Sequence, residues 1–152
     1  MLQGWLDFHR ATLLTKCDGL SDEQLKTASA PPSKLTLLGL VRHLAECERG
    51  WFRWEMTGAD VDDVYCTPED RERDFFGLAD AVAQDDLARF RTECRAADEA
   101  VADLDLDAAS VRRHGGTEFS LRWIYLHMIE EYARHNGHAD LIRERIDGAT
   151  GD

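Results

Sequence analysis

The sequence contains no apolar run of about 18 residues, the length at which a helix begins to span a lipid bilayer. Basic residues are also few: 18 Lys and Arg stand against 30 Asp and Glu, and the formal net charge is −12. A chain this acidic is repelled by phosphate backbones, so we expect no nucleic-acid partner. The first ten residues lack the basic and then apolar layout of a signal peptide. The sequence therefore predicts a cytoplasmic protein that binds neither membranes nor nucleic acids.

Cysteine is scarce as well, and its spacing excludes several kinds of site. The four cysteines form no C-x-x-C pair and no zinc-finger spacing. They are Cys17, Cys47, Cys66 and Cys94. In a reducing compartment this pattern predicts free thiols, most of them buried. A disulfide is not needed for stability, since 152 residues are enough to bury a hydrophobic core.

Apolar residues recur at helical spacing in four long segments, and no segment alternates with period two for long enough to predict a strand. Ser21 and Gln24 have the spacing of a capping box that opens a further short helix. Ser120 is a candidate N-cap of the last long helix. The long helices are predicted over 2–17, 36–57 with an end near Gly58, 84–104, and 120–146 with an end at Gly148. We therefore predict an all-α fold, a four-helix bundle that forms a single domain over residues 1–152.

Residues 59–83 join the second and third long helices and are acidic and weakly patterned. Thr67 and Pro68 resemble a helix cap followed by a first-turn proline, which predicts a short helical turn at that point. A connection of this length is long for simple neighbours in a bundle. We therefore expect that it could cross the bundle.

The last helix carries polar residues on its apolar stripe. Glu131, His135 and His138 continue the 3,4 spacing of the apolar residues before them. Glu131 and His135 lie about 40° apart around the helix, and His138 lies about 20° from Glu131 on the other side. Burying an unpaired charge costs several kcal/mol, so such groups must be neutralised, paired or bound to a cation.

The second long helix offers a matching histidine. His43 borders its apolar face, and Gly50 on the same side leaves space in front of the imidazole. If the second and fourth long helices pack together, His43 can face Glu131 and His135. Two imidazoles and one carboxylate leave the fourth coordination position of a zinc ion open, as in catalytic zinc sites. The same ligand set describes the iron(II) facial triad, so the residue types leave the metal open.

Each of these residues also has a structural interpretation. A single histidine near an apolar face is more often a core residue than a ligand, and Glu and His at i, i+4 also form ordinary surface hydrogen bonds. His138 is either close to the ligands, on the substrate side, or plainly structural, and we expect His127 to be peripheral. His9 and His114 have no supporting context.

Three further side chains lie near the candidate ligands in the sequence. Cys47 is either a fourth ligand or, as we favour, a small core residue. Arg42 and Arg134 could pair with ligand or substrate carboxylates, although surface ion pairing is the role we expect.

Two segments carry a resemblance to a known family. LVRHLAECERGWF and, about 75 residues later, LRWIYLHMIEEYARHNGHADLIRE resemble the DinB-like superfamily, most closely the actinobacterial branch of mycothiol-dependent maleylpyruvate isomerase and related thiol S-transferases. The resemblance implies an up-up-down-down bundle, often a homodimer. It also implies a divalent metal, zinc or nickel, held by His43, Glu131 and His135. His138 occupies a place where many relatives have glutamine.

The resemblance further implies an activity that uses a low-molecular-weight thiol such as mycothiol. The isomerase has an additional C-terminal domain that this sequence lacks, so we expect thiol transfer to a small electrophile, with His138 orienting the thiol or relaying a proton. The alternative is a non-catalytic dimeric bundle with a structural or vestigial metal site, acting in stress response or interaction. A facial-triad iron oxygenase is disfavoured, because no strands are predicted for its barrel.

Overall fold

The computed structural model describes residues 1–113 and 115–150 and is all-α, as the apolar spacing predicts. Within these residues there is no strand, and the β-pairing found is an isolated antiparallel bridge between Ala109 and Ser120. The helices are α1 (Leu2–Cys17), α2 (Asp22–Leu25), α3 (Leu37–Glu48), a π-helical segment (Arg49–Met56), α4 (Arg73–Phe76), α5 (Ala83–Val101) and α6 (Leu121–Asp147).

The ends of several helices follow the predicted capping residues. The Ser21 side chain accepts from the Gln24 amide while the Gln24 side chain accepts from the Ser21 amide, which is the predicted capping box. Ser120 caps α6 by accepting from the amide of Trp123 at 3.2 Å. Gly148 ends α6 with a φ of 79°, a conformation that costs a residue with a Cβ about 1–2 kcal/mol.

The second long helix is not α-helical throughout, in contrast to the prediction for 36–57. It changes winding at Arg49, continues as the π segment, and ends before Gly58, whose φ is 70°. Arg49 and Arg53, four residues apart, both bond the buried carboxylate of Glu93 on α5, at 2.7–3.2 Å. These contacts hold the π segment against α5.

The connection between the π segment and α5 also differs from its prediction. Thr67 and Asp70 exchange backbone hydrogen bonds in a tight turn, so no helix begins at Pro68. The helical turn of this connection is instead α4, which begins at Arg73. Upstream, Glu46 of α3 accepts from three successive amides and thereby fixes the chain before the turn; they belong to Val64, Tyr65 and Cys66.

The core lies where the long helices meet: α1 packs on α6, and α3 packs on α5, α4 and α6. Each fully buried Leu or Phe side chain contributes about 1.5–3 kcal/mol. The most deeply buried apolar side chains include Leu6, Leu13, Leu37, Leu40, Leu44, Phe52, Phe90, Leu121, Ile124 and Met128. No helix in the described ranges is long and apolar enough to cross a membrane.

A buried ion pair ties three helices together inside this core. The guanidinium of Arg10 on α1 donates two 2.7 Å hydrogen bonds to Glu48 on α3, whose side chain is fully buried. The hydroxyl of Tyr132 on α6 donates a third, also at 2.7 Å. Because an unpaired buried charge is costly, the three helices must meet in the register that satisfies Glu48.

Candidate metal centre

Two helices bring the three predicted ligands together. His43 projects from α3 and Glu131 and His135 from α6, and one ligand atom from each lies within 4.8 Å of the others. His135 Nε2 is 3.4 Å from Glu131 Oε2, and the rings of His43 and His135 have centroids 4.9 Å apart. Their side chains are 21%, 14% and 9% exposed, in the order His43, Glu131, His135. The polar part of the α6 stripe therefore faces His43 across the α3–α6 interface.

His135 is held in the neutral form that metals bind. Burial, and after it the proximity of His43, lowers the pKa of His135 from its ordinary value to about 4. His138 Nδ1 lies 3.3 Å from His135 Nδ1, on the opposite edge of the ring from Nε2. The contact with His138 therefore leaves Nε2 of His135 facing Glu131.

His43 is oriented by a residue that the sequence analysis missed. Its Nδ1 lies 2.8 Å from Oδ2 of Asp74, which is 3% exposed, on α4. The other Asp74 oxygen accepts from the amide of Phe75, whose ring stacks on the imidazole with centroids 4.1 Å apart. An Nδ1–H that donates to a carboxylate leaves Nε2 as the lone-pair nitrogen, a common arrangement behind metal-binding histidines.

Asp74 carries no distinguishing signal in the sequence. It is one of eight carboxylates between residues 59 and 83. Asp74 contacts His43 because α4 packs on α3. Local periodicity cannot indicate a contact between residues so far apart in the sequence.

The residues of the site fit a divalent cation. Two imidazoles and a carboxylate are ligands that zinc and iron(II) both accept, with metal–ligand distances of about 2.0–2.2 Å. Donor atoms within 4.8 Å of one another are close enough to converge on one ion with small side-chain adjustments. The second nitrogen of each histidine already has a partner, Asp74 for His43 and His138 for His135.

A cavity of about 590 Å³, here called the α3 cavity, opens beside His43. This volume lies within the range of small-molecule sites. The described residues that line it are His43, Glu46, Cys47, Arg49, Gly50, Trp51, Trp54, Glu55, Val61, Asp62, Asp63, Cys66, Arg71 and Asp74. The predicted open space in front of His43, at Gly50, is thus part of a cavity.

Cys47 lines this cavity beside His43, and it also packs against the hydrophobic core, as the sequence favours. Its Sγ is 3.5 Å from Nε2 of His43, and the residue is partly exposed. Burial first, and then the carboxylates of Glu131 and Asp74, raise the pKa of the Cys47 thiol well above its ordinary value. Without a bound cation, Cys47 is therefore a neutral thiol at pH 7. All four cysteines are free thiols, as predicted, but only Cys17 and Cys94 are buried.

The two arginines near the ligands have different surroundings. Arg134 donates to Glu131 at 2.7 Å, so it pairs with a candidate ligand carboxylate. Arg42 is buried, and the prediction of a surface ion pair for it is wrong. Its guanidinium donates to the carbonyl of Gly77 and lies over the ring of Tyr65, so it holds the end of α4 against α3.

His127 and His9 have other partners than the three donors. His127 packs against Trp51 and Trp123, with ring centroids 4.5 and 5.0 Å away, which agrees with a peripheral position. His9 contacts Asn136, whose side chain donates to its carbonyl. His114 lies outside the described residues.

An all-α chain with a His, Glu and His donor set between two helices has the features of the DinB-like superfamily, and the resemblance noted in the sequence is confirmed. The family model described as MST: Mycothiol-S-transferase matches residues 1–148. The chain belongs to this family. No curated protein and no solved structure matches it significantly.

Proposed function

We propose that this protein is a metal-dependent S-transferase that joins mycothiol, or a similar low-molecular-weight thiol, to a small electrophile. The observation that carries the proposal is the meeting of His43, Glu131 and His135 next to the α3 cavity. Membership of the mycothiol S-transferase family supports the thiol. In the reaction the thiol sulfur forms a bond to an electrophilic carbon, a leaving group departs from that carbon, and the thiol proton passes to solvent.

His43, Glu131 and His135 would hold the metal, for which we propose zinc, with nickel and iron as alternatives. The chemistry that such an ion supplies is thiol activation, since a thiol that coordinates a divalent cation loses its proton. Asp74 holds Nδ1 of His43 and so leaves Nε2 as the lone-pair nitrogen for the ion. A thiol reaches the site through the α3 cavity, past Cys47.

We assign His138 a positioning role. It contacts His135 and is not among the described residues that line the α3 cavity. In this role it holds the His135 ring so that Nε2 faces Glu131. Orienting the thiol or relaying a proton would require His138 to reach the cavity by moving its side chain.

The wider organisation is also proposed. The long helices α1, α3 with the π segment, α5 and α6 would form an up-up-down-down four-helix bundle, consistent with their packing partners. We propose one domain and a cytoplasmic homodimer. Exposed Trp5, Phe8 and Leu126, on two helices that pack together, support an interface there.

Metal analysis of purified protein tests the site. We expect about one divalent ion per chain, lost in His135→Ala because one of three protein ligands is gone. His127→Ala, on the same helix but outside the donor set, is the matched control and keeps the ion. A His135→Ala variant that retains stoichiometric metal would contradict the site.

Thiol consumption with a panel of electrophiles tests the activity. Metal-loaded protein is expected to accelerate consumption of mycothiol, and His135→Ala is expected to lose this acceleration. Metal binding without consumption of any thiol would instead support the non-catalytic bundle.

A further inference from the structure

We infer that a second cavity, at the start of α5, binds a small zwitterion with one ammonium and one carboxylate group, as α-amino acids have. This cavity, here called the α5 cavity, has a volume of about 430 Å³, which lies within the range of small-molecule sites. It shares none of its described lining residues with the α3 cavity. The inferred site is therefore separate from the place proposed for the thiol, and it does not depend on the proposed function.

The residues that line the α5 cavity supply three buried polar atoms that have no hydrogen-bond partner among the described residues. They are Nε of Arg42, the hydroxyl oxygen of Tyr65 and Oδ2 of Asp86. Arg42 is 5% exposed and Asp86 is 9% exposed. Because buried polar groups are nearly always hydrogen-bonded, three unpartnered atoms around one cavity indicate a ligand that supplies their partners.

Arg42 and Asp86 have side chains of opposite charge, yet no ion pair within 4.0 Å joins them in the described part of the chain. The Arg42 guanidinium is held by other contacts, since it donates to the carbonyl of Gly77 at 2.7 Å and lies over the ring of Tyr65. Burial raises the pKa of Asp86, and Tyr65 and Arg42 offset this rise only in part. The cavity is therefore lined by a buried cation and a buried anion that both have unused hydrogen-bonding capacity.

The charges of the whole lining favour a ligand that carries both signs. Besides Arg42 and Asp86, the lining contains three exposed charged residues, Arg73, Asp80 and Asp85. A simple cation is repelled by the two arginines, and a simple anion is repelled by the three carboxylates. A zwitterion avoids both penalties, because its ammonium donates to Oδ2 of Asp86 while its carboxylate accepts from Nε–H of Arg42. Such charge-assisted hydrogen bonds are about twice as strong as those of a neutral ligand.

The lining also contains small apolar side chains, which suit an aliphatic group on the ligand. They belong to Ala79, Ala81 and Val82, the residues that lead into α5. A short aliphatic side chain can lie against them without burying a further polar group. Valine combines such a side chain with the two charged groups, and it is therefore the probe for this cavity.

Titration of the wild-type protein with three matched ligands, followed by NMR chemical shifts, tests the inference. The ligands are L-valine, isobutylamine, which is valine without the carboxylate, and isovalerate, which is valine without the ammonium. Valine is expected to bind at least about tenfold more tightly than either analogue, because each analogue lacks one charge-assisted interaction. Isobutylamine binding as tightly as valine would show a cation site, and isovalerate binding as tightly would show an anion site. Either result would overturn the inference.

Asp86→Asn tests the ammonium end of the site. This variant keeps the shape of the side chain and removes its charge, so valine affinity is expected to fall about tenfold, toward that of isovalerate. Glu99→Gln removes an exposed carboxylate further along α5 and is the matched control, which should leave valine affinity unchanged. Equal effects of the two variants would overturn the inference. Circular dichroism melting checks that each variant folds, and the ligand series on wild type tests the carboxylate end, because Arg42 also holds α4 in place.

His135→Ala separates the α5 cavity from the candidate metal centre, since an amino acid can also bind a metal ion through its amine and carboxylate. We expect this variant to bind valine as tightly as wild type does, and the shifted amide signals to belong mainly to residues 77–86. Loss of valine binding in His135→Ala would place valine at the metal centre and overturn the inference. Absence of binding by all three ligands would show that water alone serves the buried polar atoms, and it would overturn the inference as well.

Discussion

Asp74→Asn tests how His43 is prepared for a metal. The substitution keeps the shape of the side chain and removes its charge, so it acts on the 2.8 Å contact with Nδ1 of His43. In the protein the other carboxylate oxygen accepts from the Phe75 amide. If the asparagine oxygen keeps this bond, its NH₂ group faces Nδ1 and favours the tautomer with a proton on Nε2. That tautomer cannot donate a lone pair from Nε2 to a metal.

Loss of the hydrogen-bond partner behind a metal-binding histidine typically weakens metal binding about 10–100-fold, so we expect zinc affinity to fall by this factor, or by about 1.4–2.8 kcal/mol. It is measured as the zinc dissociation constant in competition with a chromophoric chelator. Asp80→Asn is the matched control, because Asp80 is an exposed carboxylate of the same connection. A zinc affinity unchanged by Asp74→Asn would refute the reasoning. An equal loss in both variants would attribute the effect to net charge alone.

Two further predictions concern stability. Tyr132→Phe removes a 2.7 Å hydrogen bond to the buried carboxylate of Glu48 and should lower the free energy of unfolding, measured in urea, by about 1.5–3 kcal/mol. Tyr125→Phe removes a hydrogen bond to the neutral Gln3 side chain and should lower it by only about 0.5–1.5 kcal/mol. Equal losses in the two variants would contradict this account. In metal-free protein the pKa of His135 is lowered from 6.5 to about 4, so the unfolded chain binds this proton more readily than the folded protein does. The free energy of unfolding should therefore fall by up to about 3 kcal/mol as the pH drops from 6.5 to 4. Urea titrations at each pH should show less of this loss in His135→Phe, and an identical slope in both proteins would contradict it.

Sequence periodicity was sufficient for the parts of the fold and site that depend on local spacing. Ser120 begins α6 by accepting a hydrogen bond from the Trp123 amide, and Gly148 ends it with a positive φ angle, as their residue types favour. Glu131 and His135 share a face because four residues make just over one helical turn. His43 borders the apolar face of its helix, and Glu131 and His135 lie on the apolar stripe of α6. The three residues meet because such faces pack together.

Features that depend on distant contacts were not predictable in this way. The π segment places Arg49 and Arg53 on Glu93, about 40 residues further along the chain, and its winding differs too little from an α-helix to alter the apolar pattern over eight residues. Arg42 is buried because the Gly77 carbonyl accepts from it. Charge alone predicts an exposed side chain at such a position.

The connection between the π segment and α5 links the metal centre to the α3 cavity. It carries Asp74, which orients His43, and also three exposed residues of the cavity lining, Asp62, Asp63 and Arg71. Glu46 of α3 anchors it through three backbone amides. Because one anchored segment contributes to both places, a change that displaces it would alter zinc affinity and thiol binding together. Substitution of Glu131 or His135, which lie on α6 and are not among the described residues of the cavity lining, should alter zinc affinity without changing that lining.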